Sequence, residues 1–196
     1  ADPDFVKKAA SNRADEINTC IGCNQACLDH IFLGRIASCL VNPRACHETE
    51  LQYPPVQNKK KIAVIGSGPA GLSFSTTAAA RGHEVTMFEQ SDTIGGQLNL
   101  ANQIPGKEEF NETLRYYKKQ LKLCGVRVHL KLKATTKQLL QGKFDEVVLA
   151  AGVLPRKPDI EGIDHPAVLN YVDVLLHKRE VGQRVAIVGA GGIGFD

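Results

Sequence analysis

One run constrains this chain more than any other: Lys60-Lys61-Ile62-Ala63-Val64-Ile65-Gly66-Ser67-Gly68-Pro69-Ala70-Gly71. The unbroken apolar residues 62–65 predict a strand buried on both faces. The G-x-G-x-x-G that follows predicts a tight turn from that strand into a helix. Gly66 permits the turn, Gly68 lets the backbone approach a pyrophosphate, and Gly71 lets the helix pack close to the strand. Ser67, Pro69 and Ala70 complete the loop, whose N–H groups, left unpaired by the helix, face the negative charge. An alanine-rich helix to Ala80, the turn Arg81-Gly82-His83 and a strand over Val85 to Phe88 carry the chain to Glu89. An acid about 20 residues past the glycines is placed to accept a ribose diol, with Gln90 beside it. This full strand-turn-helix-strand context predicts a dinucleotide site, where an isolated glycine motif would not.

Composition narrows the remaining classes. The chain has 196 residues, enough for one domain and part of another. With 43% apolar and 23% charged residues it has the make-up of a soluble globular protein, and no apolar run is long enough to span a membrane. The net charge of +3 is small, Lys59-Lys60-Lys61 is the solvated lead-in to a strand, and Trp is absent. Nucleic acid is therefore not an expected partner. Ala1 to Ser11 is too polar and charged for a signal peptide.

Four of the six cysteines crowd into Cys20, Cys23, Cys27 and Cys39, spaced C-x2-C-x3-C-x11-C. Without an export signal this argues for metal or cluster ligation in a reducing, cytoplasmic setting. Soft thiolates select zinc or iron and sulfide. Zinc ribbons pair one C-x2-C with another, and this set does not, which favours a [4Fe-4S] cluster over zinc. Cys46 is assigned to packing or a spare thiol, and Cys124 has no assigned role.

Upstream, residues 1–17 predict a helix with Phe5, Val6, Ala9 and Ala10 on one face, the end of a domain lying before them. Residues 18–47 form the cysteine segment and 48–59, with Tyr53-Pro54-Pro55, a linker. Past Glu89, Gly95-Gly96-Gln97 is read as backbone approaching a large cofactor, with a plain turn as the alternative. A crossover helix is expected from Glu108 to Leu123, with Phe110, Leu114, Tyr117 and Leu121 inward and a solvated basic face outward. Val126 to Leu132 predicts a strand. Phe144 to Gly152 predicts a buried strand whose small end, Ala151-Gly152, sits against a ligand. A second fingerprint closes the chain: a strand over Arg184 to Val188, then Gly189-Ala190-Gly191-Gly192-Ile193-Gly194, with no helix expected after it. Paired fingerprints describe a flavin domain, 60–155, interrupted by a pyridine-nucleotide domain that starts in 156–196.

The cysteine pattern, the 65–71 turn, Gly95-Gly96-Gln97, Ile104 to Phe110, Leu149 to Gly152 and Val188 to Asp196 together resemble the bacterial NADPH-dependent 2,4-dienoyl-CoA reductases. More loosely they resemble trimethylamine dehydrogenase and the NADH:flavin oxidoreductases. The resemblance implies an α/β fold: a Rossmann-like FAD domain with the start of an inserted NAD(P) domain, preceded by an iron-sulfur segment. It implies electron flow from NADPH to FAD, through a cluster on Cys20, Cys23, Cys27 and Cys39, to FMN in an upstream barrel of the same polypeptide. There a small enoyl-CoA-type substrate is reduced. FAD would be held by Gly66 to Gly71, Glu89, Gln90, Gly96, Gln97, Lys107, Ala134, Ala151 and Gly152. NADPH would be held by Gly189, Gly191 and Gly194. No acid-base residue is assigned, because in such enzymes it lies in the barrel, and the chain is read as one piece of a longer enzyme. The alternatives are a glutamate-synthase-like electron feeder and a trimethylamine dehydrogenase-like domain with structural ADP.

Overall fold

In the computed structural model, which describes residues 1–195, four parallel strands form one sheet. They are β1 (Lys61–Ile65), β2 (Glu84–Phe88), β3 (Arg127–His129) and β4 (Glu146–Leu149), in the order β3-β2-β1-β4. The register sets Ile62 beside Val85 and Glu146, Val64 beside Met87 and Val148, and Met87 beside Val128.

Strand alternation sorts these residues. Ile62, Val64, Val85 and Met87 point to one face and pack with Leu72 and Ala78 of the helix Pro69–Ala80 and Leu121 of the helix Phe110–Leu123. Ala63 and Thr86, of opposite parity, are also buried. Phe88 shares the parity of Thr86; its ring stacks on His129 at 5.4 Å between centroids and meets Phe144 edge-on at 6.0 Å. Burial on both faces is why β1 is a continuous apolar run.

In chain order the helices are α1 (Phe5–Ala10), α2 (Leu28–Phe32), α3 (Pro69–Ala80), α4 (Leu98–Ala101), α5 (Phe110–Leu123), α6 (Thr136–Gln141), α7 (Tyr171–Leu175) and α8 (Gly192–Phe195). Their ends follow local chemistry. Pro69 occupies the first turn of α3, where its missing N–H costs nothing. At the other end the His83 and Gly82 N–H groups donate back to Ala78 and Ala79, with Gly82 left-handed. Gly125 stops α5 in the same way, through Val126 to Leu121 and Gly125 to Lys122. Thr135 with Gln138, and Asn170 with Asp173, form reciprocal caps that start α6 and α7.

Four expectations are corrected here. The helix predicted over 1–17 ends at Ala10, because Asn12 turns left-handed (φ +54°) and the Asn12 and Arg13 N–H groups cap Ala9 and Lys8. A single 3₁₀ turn, Ala14–Glu16, follows. The strand over 144–152 is shorter, and β4 is not buried: it is the sheet edge, with Leu149 79% exposed. No strand forms over Arg184 to Val188, and Val185, Ile187 and Val188 are exposed. A strand needs a neighbour to take its N–H and C=O groups, and none of the described strands pairs with this run. The helix α8 does begin inside the second fingerprint, where none was expected. Asp196, the last residue of the run that carried the resemblance, lies outside the described residues.

Candidate functional site

The first fingerprint bends as its glycines require. Gly66 is at φ +104°, and a Cβ there would meet the Ala150 carbonyl oxygen at 2.3 Å. The position is therefore closed twice, by the turn and by the end of β4. A Cβ on Gly71 would stand 2.0 Å from the Gly66 oxygen, which is the close helix-strand approach that the motif demands. Gly68 is different: a Cβ there meets nothing within 4 Å, and Pro69 and Ala70 beside it are exposed. Open space thus lies at the start of α3, where an anion meets unpaired N–H groups.

Residues far apart in the chain close round this turn. The Gly95 N–H donates to the Ser67 oxygen at 2.9 Å, and a Cβ on Gly96 would sit 3.0 Å from the Gly68 Cα. Gln97 Nε2 donates to the Val153 oxygen at 3.3 Å, beside Ala151 and Gly152. Gly152 is left-handed at φ +74° and faces open space. The fingerprint, the 95–97 turn and the exit of β4 are therefore one cradle with two glycines facing outward.

Glu89 is buried at the end of β2. Its Oε2 accepts the Ser67 N–H at 2.8 Å and the Ser67 hydroxyl at 2.7 Å, and its Oε1 accepts the Ser91 N–H at 2.8 Å. Burial pushes its carboxyl up, but the donors from Ser91 and Ser67 outweigh it and hold the group below its ordinary value. Gln90 is exposed beside it. Ala134 is half-buried, two residues past Leu132, whose N–H donates to the Glu89 oxygen. Lys107 lies between α4 and α5, with its N–H on the Ile104 oxygen.

The second fingerprint repeats the local geometry of the first. Gly189 is at φ +114°, and a Cβ on Gly194 would lie 2.4 Å from the Gly189 oxygen. Around Gly189 and Gly191, however, a Cβ would meet nothing within 4 Å. The turn has its shape without a neighbouring strand end to close it.

Cys20, Cys23, Cys27 and Cys39 are all free thiols, as are Cys46 and Cys124, and the Gly22 N–H donates to Cys20 Sγ at 3.4 Å. In kind, four soft donors suit an iron-sulfur or zinc centre. In position they are not assembled, since among the described residues no three of the His, Cys, Asp and Glu side chains are grouped to hold a metal ion. Little else would draw them together, because no residue from Thr19 to Lys61 is buried.

The model of the pyridine nucleotide-disulphide oxidoreductase family matches residues 60–196. The chain belongs to that family. The whole chain is also 42% identical to a metal reductase of Desulforamulus reducens, of which it covers 30%, and 38% identical to a bilirubin reductase of Mediterraneibacter gnavus, of which it covers 31%. Among solved structures, a 2-naphthoyl-CoA reductase in complex with 2-naphthoyl-CoA superposes with a TM-score of 0.90 and 40% identity, over 93% of this chain and 28% of that one. The chain thus spans about a third or less of the curated relatives that it matches. As a pyridine nucleotide-disulphide oxidoreductase domain it is the FAD- and NAD(P)-binding part of an oxidoreductase. Among the described residues no helix is long and apolar enough to cross a membrane.

Side-chain spacing missed one group. The helical spacing predicts a solvated basic face on α5, but Arg115 and Lys119 reach the N-terminal run: Lys119 Nζ pairs with Asp15 at 2.6 Å. The available signal was that Glu112, Arg115 and Lys119 recur at i, i+3 and i+7 along one face.

Proposed function

We propose that this chain is the electron-feeding part of an NADPH-dependent reductase of conjugated acyl thioesters, in the manner of a 2,4-dienoyl-CoA reductase. The observation that carries the reading is the cradle itself, in which the Gly66 turn, Gly95 to Gln97 and Ala150 to Val153 meet around Gly68. Its residues would bind FAD along the backbone: the N–H groups opening α3 take the pyrophosphate, and Glu89 faces the ribose. Gln97, Lys107 and the Ala151-Gly152 turn would hold the rest, with Ala134 toward the adenine. Bound FAD would accept a hydride from NADPH, which Gly189, Gly191 and Gly194 would help to hold, and release its electrons singly. Relatives named as cinnamate reductase and 2-naphthoyl-CoA reductase act, by their names, on unsaturated acyl compounds, which favours this substrate class.

The cysteine spacing and the free thiols support Cys20, Cys23, Cys27 and Cys39 as ligands of a [4Fe-4S] cluster, and an FMN-bearing barrel upstream in a longer polypeptide would be the next partner. The boundaries at 17, 47, 59 and 155 belong to the same proposal, with a cytoplasmic setting. Anaerobic purification of the full-length polypeptide, with FAD, FMN, iron and sulfide assayed, tests it. Oxidation of NADPH that depends on a 2,4-dienoyl-CoA is expected. Protein without FAD, or NADPH oxidation indifferent to any enoyl-CoA, would sink the reading.

A further inference from the structure

Arg115 makes more contacts to the run before Cys20 than any local rule predicts. Its Nη1 donates to the Asp15 oxygen at 2.5 Å, and its Nη2 donates to the Ile17 oxygen at 2.7 Å and to Thr19 Oγ1 at 3.2 Å. Its Nε donates to Glu112 Oε2 at 2.7 Å, and the Thr19 hydroxyl donates to the same carboxylate oxygen at 3.3 Å. One planar cation on α5 thus holds three acceptors within residues 15–19, and Glu112 orients it. Only a guanidinium presents donors in a fork that can do so; an ammonium is a single point.

The chain enters the cysteine segment immediately afterwards. Cys20, Thr19, Ile17, Glu112 and Arg115 line one open pocket of about 840 Å³ with Phe5. Beyond Thr19 the segment has no buried residue until β1, so its placement depends on such ties.

We propose that Arg115 is a positioning residue for the cysteine segment. Its guanidinium clasps residues 15–19 to α5 and thereby sets where Cys20 stands relative to the dinucleotide cradle. The proposal rests on the reading that Cys20 is a cluster ligand, and the test separates the two.

Full-length wild type and the variants Arg115→Ala, Arg115→Lys and Thr19→Val are purified anaerobically. Iron and FAD are assayed, the electron paramagnetic resonance spectrum of the reduced protein is recorded, and hydrogen exchange is followed over residues 12–23 and 61–80. In Arg115→Ala, exchange at Ile17 and Asn18 rises by about tenfold or more, as loss of charge-assisted bonds implies. The cluster signal broadens or shifts, while FAD content and exchange over 61–80 hold. Arg115→Lys does not restore the wild-type spectrum. Should Arg115→Ala fail to fold, Thr19→Val decides, through a smaller rise confined to the same peptides and a changed signal. Iron-loaded variants with wild-type exchange and spectra, or full rescue by lysine, overturn the clasp and leave the ligand reading standing. Wild type without iron overturns the ligand reading and the proposal with it.

Discussion

Glu89 Oε2 accepts two hydrogen bonds from one residue, the Ser67 N–H at 2.8 Å and the Ser67 hydroxyl at 2.7 Å. The acid proposed to hold a ribose therefore also braces the fingerprint turn against the end of β2. Its carboxylate accepts a third bond from Ser91, and two oxygens with about four lone-pair sites leave room for a ligand hydroxyl. Ser67→Ala removes one charge-assisted bond inside a buried site. The expected loss is about 1.5–3 kcal/mol of stability, read from urea denaturation. A variant as stable as the wild type would show that the brace carries no weight.

The same pair sets an acid limit. Because the native Glu89 carboxyl titrates below its ordinary 4.5, its contribution is complete above that value and is lost as pH falls through the lower native one. Acid unfolding followed by circular dichroism should begin at higher pH in Ser67→Ala than in wild type. Coincident curves would contradict the assignment.

Two glycines five and two residues into the fingerprint should fail in different ways. Gly71→Ala drives a methyl onto the Gly66 oxygen at 2.0 Å, backbone that cannot swing aside, and is expected to cost about 3 kcal/mol or more, as overpacking at its upper end does. Gly68→Ala meets open space at an ordinary negative φ, so melting temperature should barely move while FAD affinity falls roughly tenfold or more as the methyl enters the phosphate path. Thermal melts with fluorescence titration of FAD check both. If Gly68→Ala binds FAD normally, the cradle is not the pyrophosphate site.

Leu72 is fully buried between the sheet and α5. Leu72→Ala should lose about 2–5 kcal/mol, the transfer loss plus a cavity that close-packed neighbours only partly fill. Urea denaturation measures it.

Tyr116 has its phenol pushed up to about 12, chiefly by burial, with Tyr117, Asp2 and Cys124 adding to it. The native state favours the neutral ring, so its contribution is full below 10 and is lost as pH rises through 12. Absorbance at the phenolate band should show one tyrosine ionising only near pH 12, and Tyr116→Phe should flatten that last step.

Much of the site could be read before the fold was known. Ile62 to Gly71 announces a strand, a turn and a helix because backbone sterics act within a few residues, and Gly82 and Gly125 stop their helices for the same reason. Local rules failed where a distant partner decided. Asn12 ends α1 although Ala14 to Ile17 continue a passable helical pattern, and residues 15–19 are instead held by Arg115. Val147 and Leu149 have the composition of a buried strand, but burial depends on what lies across the sheet, and β4 is its edge.

The amino-acid sequence alone determined that both glycine-rich turns are possible, since only a residue without a Cβ takes the positive φ of Gly66 and Gly189 at little cost, whatever its neighbours. Tertiary structure alone decided which turn is finished. At Gly66 the Ala150 carbonyl fills the space beside the chain, and at Gly189 nothing does, because pairing one strand end against another is a property of two segments brought together and not of either one.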